Sequence, residues 1–301
     1  LPRPASVSLP ELRRFFSRPA QTWLSRRLGI DLPDPPQAME DIEPLDMAGP
    51  GLERHQLQHW LLEAALEGDD NRLYERLLAR GRVPSGAFGR LQLQALVRDV
   101  QPYAELWQAG VDNAQLQSVD CSVQIDGITV QGRVDGVLTD RVPRLRIGRL
   151  NAGTVVRNGL DWLLLCAAGQ PRGLWQLYQD ADDDFGPHQQ APLSQAQAQS
   201  ALSQLLGLYL QGLQQPLAYA PRTALALHQA EPAKRWETAA SSWYGSDYAY
   251  AESGEDSHQL LYRGRDPLAD PQRWEVFEQT CLTVMSLLRE ARLPHDNEEA
   301  V

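Results

Sequence analysis

Asp135 sits in a strand-like stretch, Gly132-Arg133-Val134-Asp135-Gly136-Val137, and the next such stretch reads Leu145-Arg146-Ile147-Gly148-Arg149-Leu150-Asn151. An acid on one strand, followed on the next by an acid and a lysine two residues apart, is a layout for cutting phosphodiesters. Side chains at i and i+2 of a strand leave the same face. The two acids then hold a divalent cation that polarises the phosphate and activates water, while the lysine stabilises the developing charge. Here Asp135 supplies the first acid, but Ile147 stands at the second acid position and Arg149 at the lysine position. Isoleucine has no ligand atom, and a lone carboxylate serves magnesium poorly because the ion demands near-octahedral oxygen coordination. Arg149 keeps its charge, so it is expected to pair with Asp135 where the metal would sit. This degenerate set (Asp135, Ile147, Arg149) predicts no catalytic residue, no metal and no other cofactor.

Other constellations are weaker. His55 and His59 stand one helical turn apart, a zinc spacing, but Gln56 replaces the glutamate a metalloprotease needs and no third ligand is evident. They read as surface or boundary histidines. Asp180, Asp182, Asp183 and Asp184 before Gly186 imitate a calcium loop, yet the glycine falls at position seven and Ala191 at position twelve. An EF-hand requires glycine at six and glutamate at twelve, so a solvated acidic turn is the expectation. Lys234 is the only lysine and reads as a surface residue. There is no phosphate-cradling GxxxxGK[ST] loop, no dinucleotide fingerprint and no nucleophile elbow. Cys121, Cys166 and Cys281 are widely spaced, as expected of free thiols in a reducing compartment.

The elements that must position Asp135 can be read from periodicity. Ser8-Leu9-Pro10-Glu11 is a capping box that opens a helix carrying Leu12, Phe15 and Phe16 on one face. Pro19 restarts a helix that Gly29 ends. Residues 32–50 read as a connector rich in Pro and Asp. Helices are predicted over 52–67, 71–80 and 91–108, with a turn region at 81–89. The period then changes to two: Val119, Cys121, Val123 and Ile125 lead into Asp126-Gly127, a strong hairpin signal, and 128–137 returns. Strands at 144–150 and 174–178 flank a helix over 157–168. A long helix spans 194–214, residues 215–262 read as irregular, and 274–290 closes as a helix. The predicted organisation is a helical part (1–115), a nuclease-like α/β core (116–215) and an irregular and helical part (216–301), together one compact unit.

The chain has 301 residues, 43% of them hydrophobic, enough for a sizeable core. No apolar run approaches the ~20 residues of a membrane helix, so no membrane association is expected. The chain opens on Leu1 without an initiator methionine and so reads as part of something longer. The net charge of −11 argues against a simple DNA-coating protein. Its distribution says more. Residues 1–30 hold six Arg against one Glu, and residues 133–157 hold six Arg against two Asp. Those islands carry +5 and +4, which leaves −20 on the rest of the chain.

An ordered set of short stretches resembles the C-terminal domain of the exodeoxyribonuclease V gamma chain, RecC. It begins with Val7-Ser8-Leu9-Pro10-Glu11-Leu12-Arg13-Arg14-Phe15-Phe16-Ser17-Arg18-Pro19 and Arg26-Arg27-Leu28-Gly29. It continues through Glu43-Pro44-Leu45, Gly51-Leu52-Glu53-Arg54-His55-Gln56-Leu57, Gly86-Ala87-Phe88-Gly89 and Gln131-Gly132-Arg133-Val134-Asp135-Gly136 to Pro216-Leu217-Ala218-Tyr219-Ala220-Pro221-Arg222-Thr223. The resemblance implies an α/β, restriction-endonuclease-like mixed-sheet core of the PD-(D/E)xK nuclease type, flanked by helices, with its active site lost. It also implies a cytoplasmic, non-catalytic domain of a helicase-nuclease, RecBCD, that repairs double-strand breaks by homologous recombination. Its partners would be RecB, RecD and forked or single-stranded DNA. Arg133, Arg141, Arg144, Arg146, Arg149 and Arg157 are then the candidates for phosphate contact. Trp243, Tyr244, Tyr248 and Tyr250 could stack on bases, though packing is the plainer role. Two alternatives stay open: an active metal-dependent nuclease using Asp135 with a relocated second acid, and a protein-interaction module that never touches DNA.

Overall fold

The computed structural model describes residues 3–32, 52–67, 73–112, 114–180, 184–246 and 250–294. Among them, the strands form two three-stranded mixed sheets. In the first, β1 (Ser6–Ser8) runs parallel to β3 (Ile128–Val137), and β2 (Gln117–Ile125) pairs antiparallel to the other edge of β3. Asp126 and Gly127 make the hairpin turn, both in the left-handed region at φ 49° and 78°, which suits Asp-Gly. In the second sheet, β4 (Arg141–Arg149) runs parallel to β5 (Gly173–Gln179), which pairs antiparallel with β6 (Phe185–Gln190).

Helix α1 (Leu9–Ser17) follows β1 directly. Ser8 caps it in a complete capping box with Glu11, so the sequence signal and the structure coincide. α2 (Pro19–Trp23) continues into a π-helical turn, Leu24–Leu28, closed by Gly29 at φ 64°. α3 (Leu52–Glu67), α4 (Leu73–Ala79) and α5 (Gly86–Val111) make the N-terminal helical layer. α6 (Ala152–Ala167) links β4 to β5 and is buried along nearly its whole length. A helix apolar on all sides belongs in a core, and α6 touches α1, α7 (Gln195–Gln214), α8 (Pro221–Gln229), α11 (Pro271–Glu290) and strands of both sheets. The remaining short helices are α9 (Arg235–Tyr244) and α10 (Asp256–Leu261).

Two hydrophobic clusters result. The larger joins β1 and α1 to β2, β3, α6, α7, α8 and α11, with Phe15, Val134, Leu164, Tyr209 and Met285 among its buried members. The smaller holds α3, α4 and α5 against the other face of β4, and Ile147 is buried in it. The second sheet is therefore a middle layer, with α6 on one face and α5 on the other. Val142 and Leu174 face the first cluster, while Leu145 and Ile147 face the second.

Several elements differ from the sequence reading. α6 begins at Ala152 rather than near residue 157, because the Asn151 side chain accepts from Thr154 N at 2.8 Å and caps the helix there. α5 begins at Gly86, inside the expected turn region. β6 was not foreseen. Residues 215–262, expected to be irregular, contain α8, α9 and α10. The cap of α8 is Glu252, whose carboxylate accepts from Arg222 N at 2.9 Å and Thr223 N at 2.7 Å. That cap comes from about 30 residues away and leaves no local signature. The connector at 33–50 and the tail at 296–299 lie outside the described residues.

Candidate nucleic-acid interface

Three elements turn arginines toward one cleft of about 920 Å³. On α1 the apolar residues Leu9, Leu12, Phe15 and Phe16 are buried, so the opposite face presents Pro10, Arg13, Arg14 and Ser17 to the cleft, with Arg18 at the helix end. This is the i, i+3, i+4, i+7 face of an amphipathic helix. On β4, Arg144 and Arg146 stand on the α6 side. On α6, Thr154, Arg157, Asn158 and Asp161 line the same space, again at helical spacing. His59 of α3 lies at its margin.

Asp161 organises the floor. Its side chain is only 3% exposed, and it binds two guanidinium groups. Arg13 contacts Oδ1 through Nε, at 3.0 Å, and through Nη2. Arg144 Nη2 donates to Oδ2 at 2.9 Å. The rest of the Arg144 fork is satisfied by backbone: Nη1 donates to Gly136 O at 3.1 Å and Pro143 O at 2.8 Å, and Nη2 to Asp135 O at 3.1 Å. One arginine thus ties α6 to the end of β3 and closes the gap between the two sheets. A buried carboxylate held by two arginines is paired rather than reactive.

Asp135 is at the cleft edge with its side chain 73% exposed. Its Oδ1 accepts from Ser118 Oγ at 2.6 Å and from Arg133 Nε at 3.0 Å. Those bonds hold its carboxyl below the ordinary range, the Ser118 hydroxyl first. The expected pairing with Arg149 does not form; the neighbouring Arg133 takes that place. Nor does the second strand present Ile147 and Arg149 to the cleft. Alternation puts Ile147 on the opposite face, inside the smaller hydrophobic cluster, and the residues facing the cleft are Arg144 and Arg146.

The remaining candidates separate by position. Arg146 is half-buried, donates from Nε to Arg149 O at 2.6 Å and lies 3.4 Å from Thr154 Oγ1. Burial draws its pKa down from the usual arginine value. Arg157 is exposed on the cleft wall. Arg141 lies away from the cleft: it donates to Gly110 O at 2.7 Å and packs over the Trp175 ring, 5.7 Å from its centroid. Arg133 and Arg149 do not line the cleft, although both are exposed nearby. Arg13, Arg14, Arg18 and Asp161 were not singled out as site residues from sequence. The basic island at 1–30 and the amphipathic pattern of α1 were the signals that could have found the first three.

A magnesium site of the nuclease type does not fit these side chains. Both oxygens of Asp161 are occupied by arginines, Ile147 points away, and the two inward residues of β4 are cationic. Among the described residues no three His, Cys, Asp or Glu side chains gather as a metal-ligating group. The His55 side chain and Asp182 and Asp183 lie outside the described residues, while Asp180 and Asp184 close a turn through Asp184 N to Asp180 Oδ1 at 3.0 Å. Lys234 pairs with Glu231 at 3.3 Å on the surface. Trp243 is buried in the main cluster and its Nε1 donates to Asp266 at 3.2 Å, Tyr244 binds the same carboxylate, and Tyr250 is exposed. Tyr248 lies outside the described residues. The three cysteines are buried and free. Among the described residues no helix is long and apolar enough to cross a membrane.

A mixed α/β unit with a guanidinium-lined cleft is the kind of protein these features define, and the family follows from comparison with known proteins. A family model described as the RecC C-terminal domain matches residues 4–232, and the chain belongs to that family. It is 30% identical over 221 residues to the RecBCD enzyme subunit RecC of Escherichia coli (strain K12), a match that covers 73% of this chain and 19% of the relative. The chain thus matches about a fifth of that relative's length. α9, α10 and α11 fall beyond the family match.

Proposed function

We propose that this chain is a non-catalytic, nuclease-like domain that holds a DNA strand by its phosphates in the arginine cleft. The observation that carries this reading is the pairing of Asp161 with Arg13 and Arg144 beneath a rim of further arginines. Arg14, Arg18 and Arg157 stand exposed around a floor whose single buried acid is already neutralised. Arginine is suited to phosphate because its planar fork donates two bonds at once and it never loses its charge. In this reading the fold is the restriction-endonuclease-like core that the resemblance implies, with Ile147 at the acid position turned away and arginines lining the cleft. The domain acts within a RecBCD-type helicase-nuclease, beside RecB and RecD, in the cytoplasm. There it guides or splits strands and scaffolds its neighbours.

Arg14, Arg146 and Arg157 are the phosphate contacts best placed for this role. Arg144 serves it indirectly, by fixing the floor. Arg133, Arg141 and Arg149 are left for contacts outside the cleft. The test is twofold. Labelled single-stranded and forked DNA incubated with the chain and Mg²⁺ or Mn²⁺ is expected to stay intact, as it does with Asp135→Ala. Cleavage by the parent that Asp135→Ala abolishes would restore the active-nuclease reading. In binding assays, Arg14→Glu with Arg157→Glu is expected to weaken fork binding at least tenfold; unchanged binding would favour a module that touches only protein.

A further inference from the structure

A second cavity, of about 190 Å³, lies behind Asn158 between α6, β5, β6 and the end of α11. Arg144 on β4 is the register partner of Gln176 on β5, and Gln176 that of His188 on β6. One polar row therefore crosses the α6-facing side of the sheet, from the arginine cleft to the cavity, in steps of about 4.8 Å. The row beside it, Val142 and Leu174, is apolar core, as a helix-covered sheet face ordinarily is. α6 matches the polar row with polar side chains of its own: Asp161 on Arg144, and Asn158 on Gln176. Asn158 lines both the cleft and the cavity.

The row is buried but only partly satisfied. Asn158 and Gln176 are 4% and 8% exposed. They share one bond, Asn158 Nδ2 to Gln176 Oε1 at 2.8 Å. The Asn158 carbonyl oxygen and the Gln176 NH₂ take no part in that bond. His188 Nε2 and Gln190 Oε1 are buried without hydrogen bonds, and both residues line the cavity. Buried polar atoms are nearly always paired, so a cluster of unpaired ones calls for a partner. Beside them the rings of Tyr178 and His188 stack at 3.9 Å and 18°.

We propose that this cavity receives one pyrimidine base of a DNA strand whose phosphates occupy the arginine cleft; the proposal rests on the cleft reading above. A cavity of about 150 Å³ admits a benzene-sized ring, so 190 Å³ accommodates one six-membered heterocycle with its substituents. A pyrimidine edge alternates donors and acceptors, which is what the two amides and the imidazole present. Capture of an unstacked base by edge hydrogen bonds and aromatic contact is a general mode of recognition.

The experiment compares binding of labelled oligothymidylate with that of an abasic strand of equal length and charge. The parent is expected to prefer oligothymidylate about tenfold, in the range that base stacking alone supplies. Gln176→Leu, and separately His188→Leu on the edge strand, are expected to bring oligothymidylate down to the abasic value and leave abasic binding unchanged. Equal binding of both strands by the parent, with Arg14→Glu and Arg157→Glu weakening both, would overturn the base pocket and keep the cleft. Full preference in both folded pocket variants would also overturn it, and oligoadenylate matching oligothymidylate would overturn the choice of a pyrimidine. Binding to neither strand would overturn pocket and cleft together.

Discussion

At the residue scale, Asp161 and Asp135 show how environment separates two carboxylates on one cleft. Asp161 is enclosed by Arg13 and Arg144. Asp161→Asn strips the charge from a buried pair and leaves two guanidinium groups facing an amide. It is expected to cost about 3–5 kcal/mol in urea unfolding, the usual range for breaking a buried pair from one side. Asp135 is exposed and its pairing is screened by water, so Asp135→Asn is expected to lower the unfolding midpoint far less than Asp161→Asn. Glu11 gives a pH signature. The Ser8 backbone bond, the Ser8 hydroxyl and Arg26 together hold its carboxyl below the ordinary range in the folded chain, against the opposing effect of burial. A depressed folded pKa means the contribution is present above the ordinary carboxylate range and fades as pH falls through the folded value. The melting temperature of Glu11→Gln is therefore expected to lie below the parent's at neutral pH, and the two are expected to converge in acid. A gap that persists unchanged in acid would show that the Glu11 charge has no part in the cap.

At the element scale, α6 is the axis of the molecule. Asn151 caps it, its buried faces pack against α1, α7 and α11, and its one polar stripe carries Thr154, Arg157, Asn158 and Asp161. Gly159 lets α11 approach: a Cβ there would stand 2.3 Å from the Leu288 carbonyl oxygen. The obstacle is backbone, so one helix must move. Gly159→Ala is expected to destabilise the chain by about 1–3 kcal/mol, as overpacking does, with a lower midpoint in thermal or urea unfolding. An unchanged midpoint would show that α11 yields freely. Gly132 plays the same part on β3, where a Cβ would meet Leu9 Cβ at 2.4 Å and push α1 off the sheet.

At the scale of the whole molecule, the arginines work against the average. A body with net charge −11 repels nucleic acid in general, so any strand held in the cleft is held locally and over short range. Affinity for single-stranded DNA is accordingly expected to fall with salt at a log–log slope of about −0.7 for each phosphate neutralised, hence roughly −2 to −3 for three or four contacts. Anisotropy titrations across a salt series measure it. A flat salt dependence would mean that the cleft arginines are not the contacts.

Much of the architecture was legible because its signals are local. The capping box at Ser8, the Asp126-Gly127 turn and the amphipathic face of α1 each act within a few residues. That Ile147 offers no ligand atom is equally local, since no fold gives it one. Tertiary structure alone decided the rest. On a regular strand residues 147 and 149 would share a face, but the register shifts between Leu145 and Arg149, with Gly148 at φ 79°; packing of α3, α4 and α5 buried Ile147 and left Arg144 and Arg146 to the cleft. The Arg13–Asp161 pair spans 148 positions, and the Glu252 cap of α8 comes from about 30 residues downstream. Such partners are chosen by the layers that meet in space, and no window of sequence contains both.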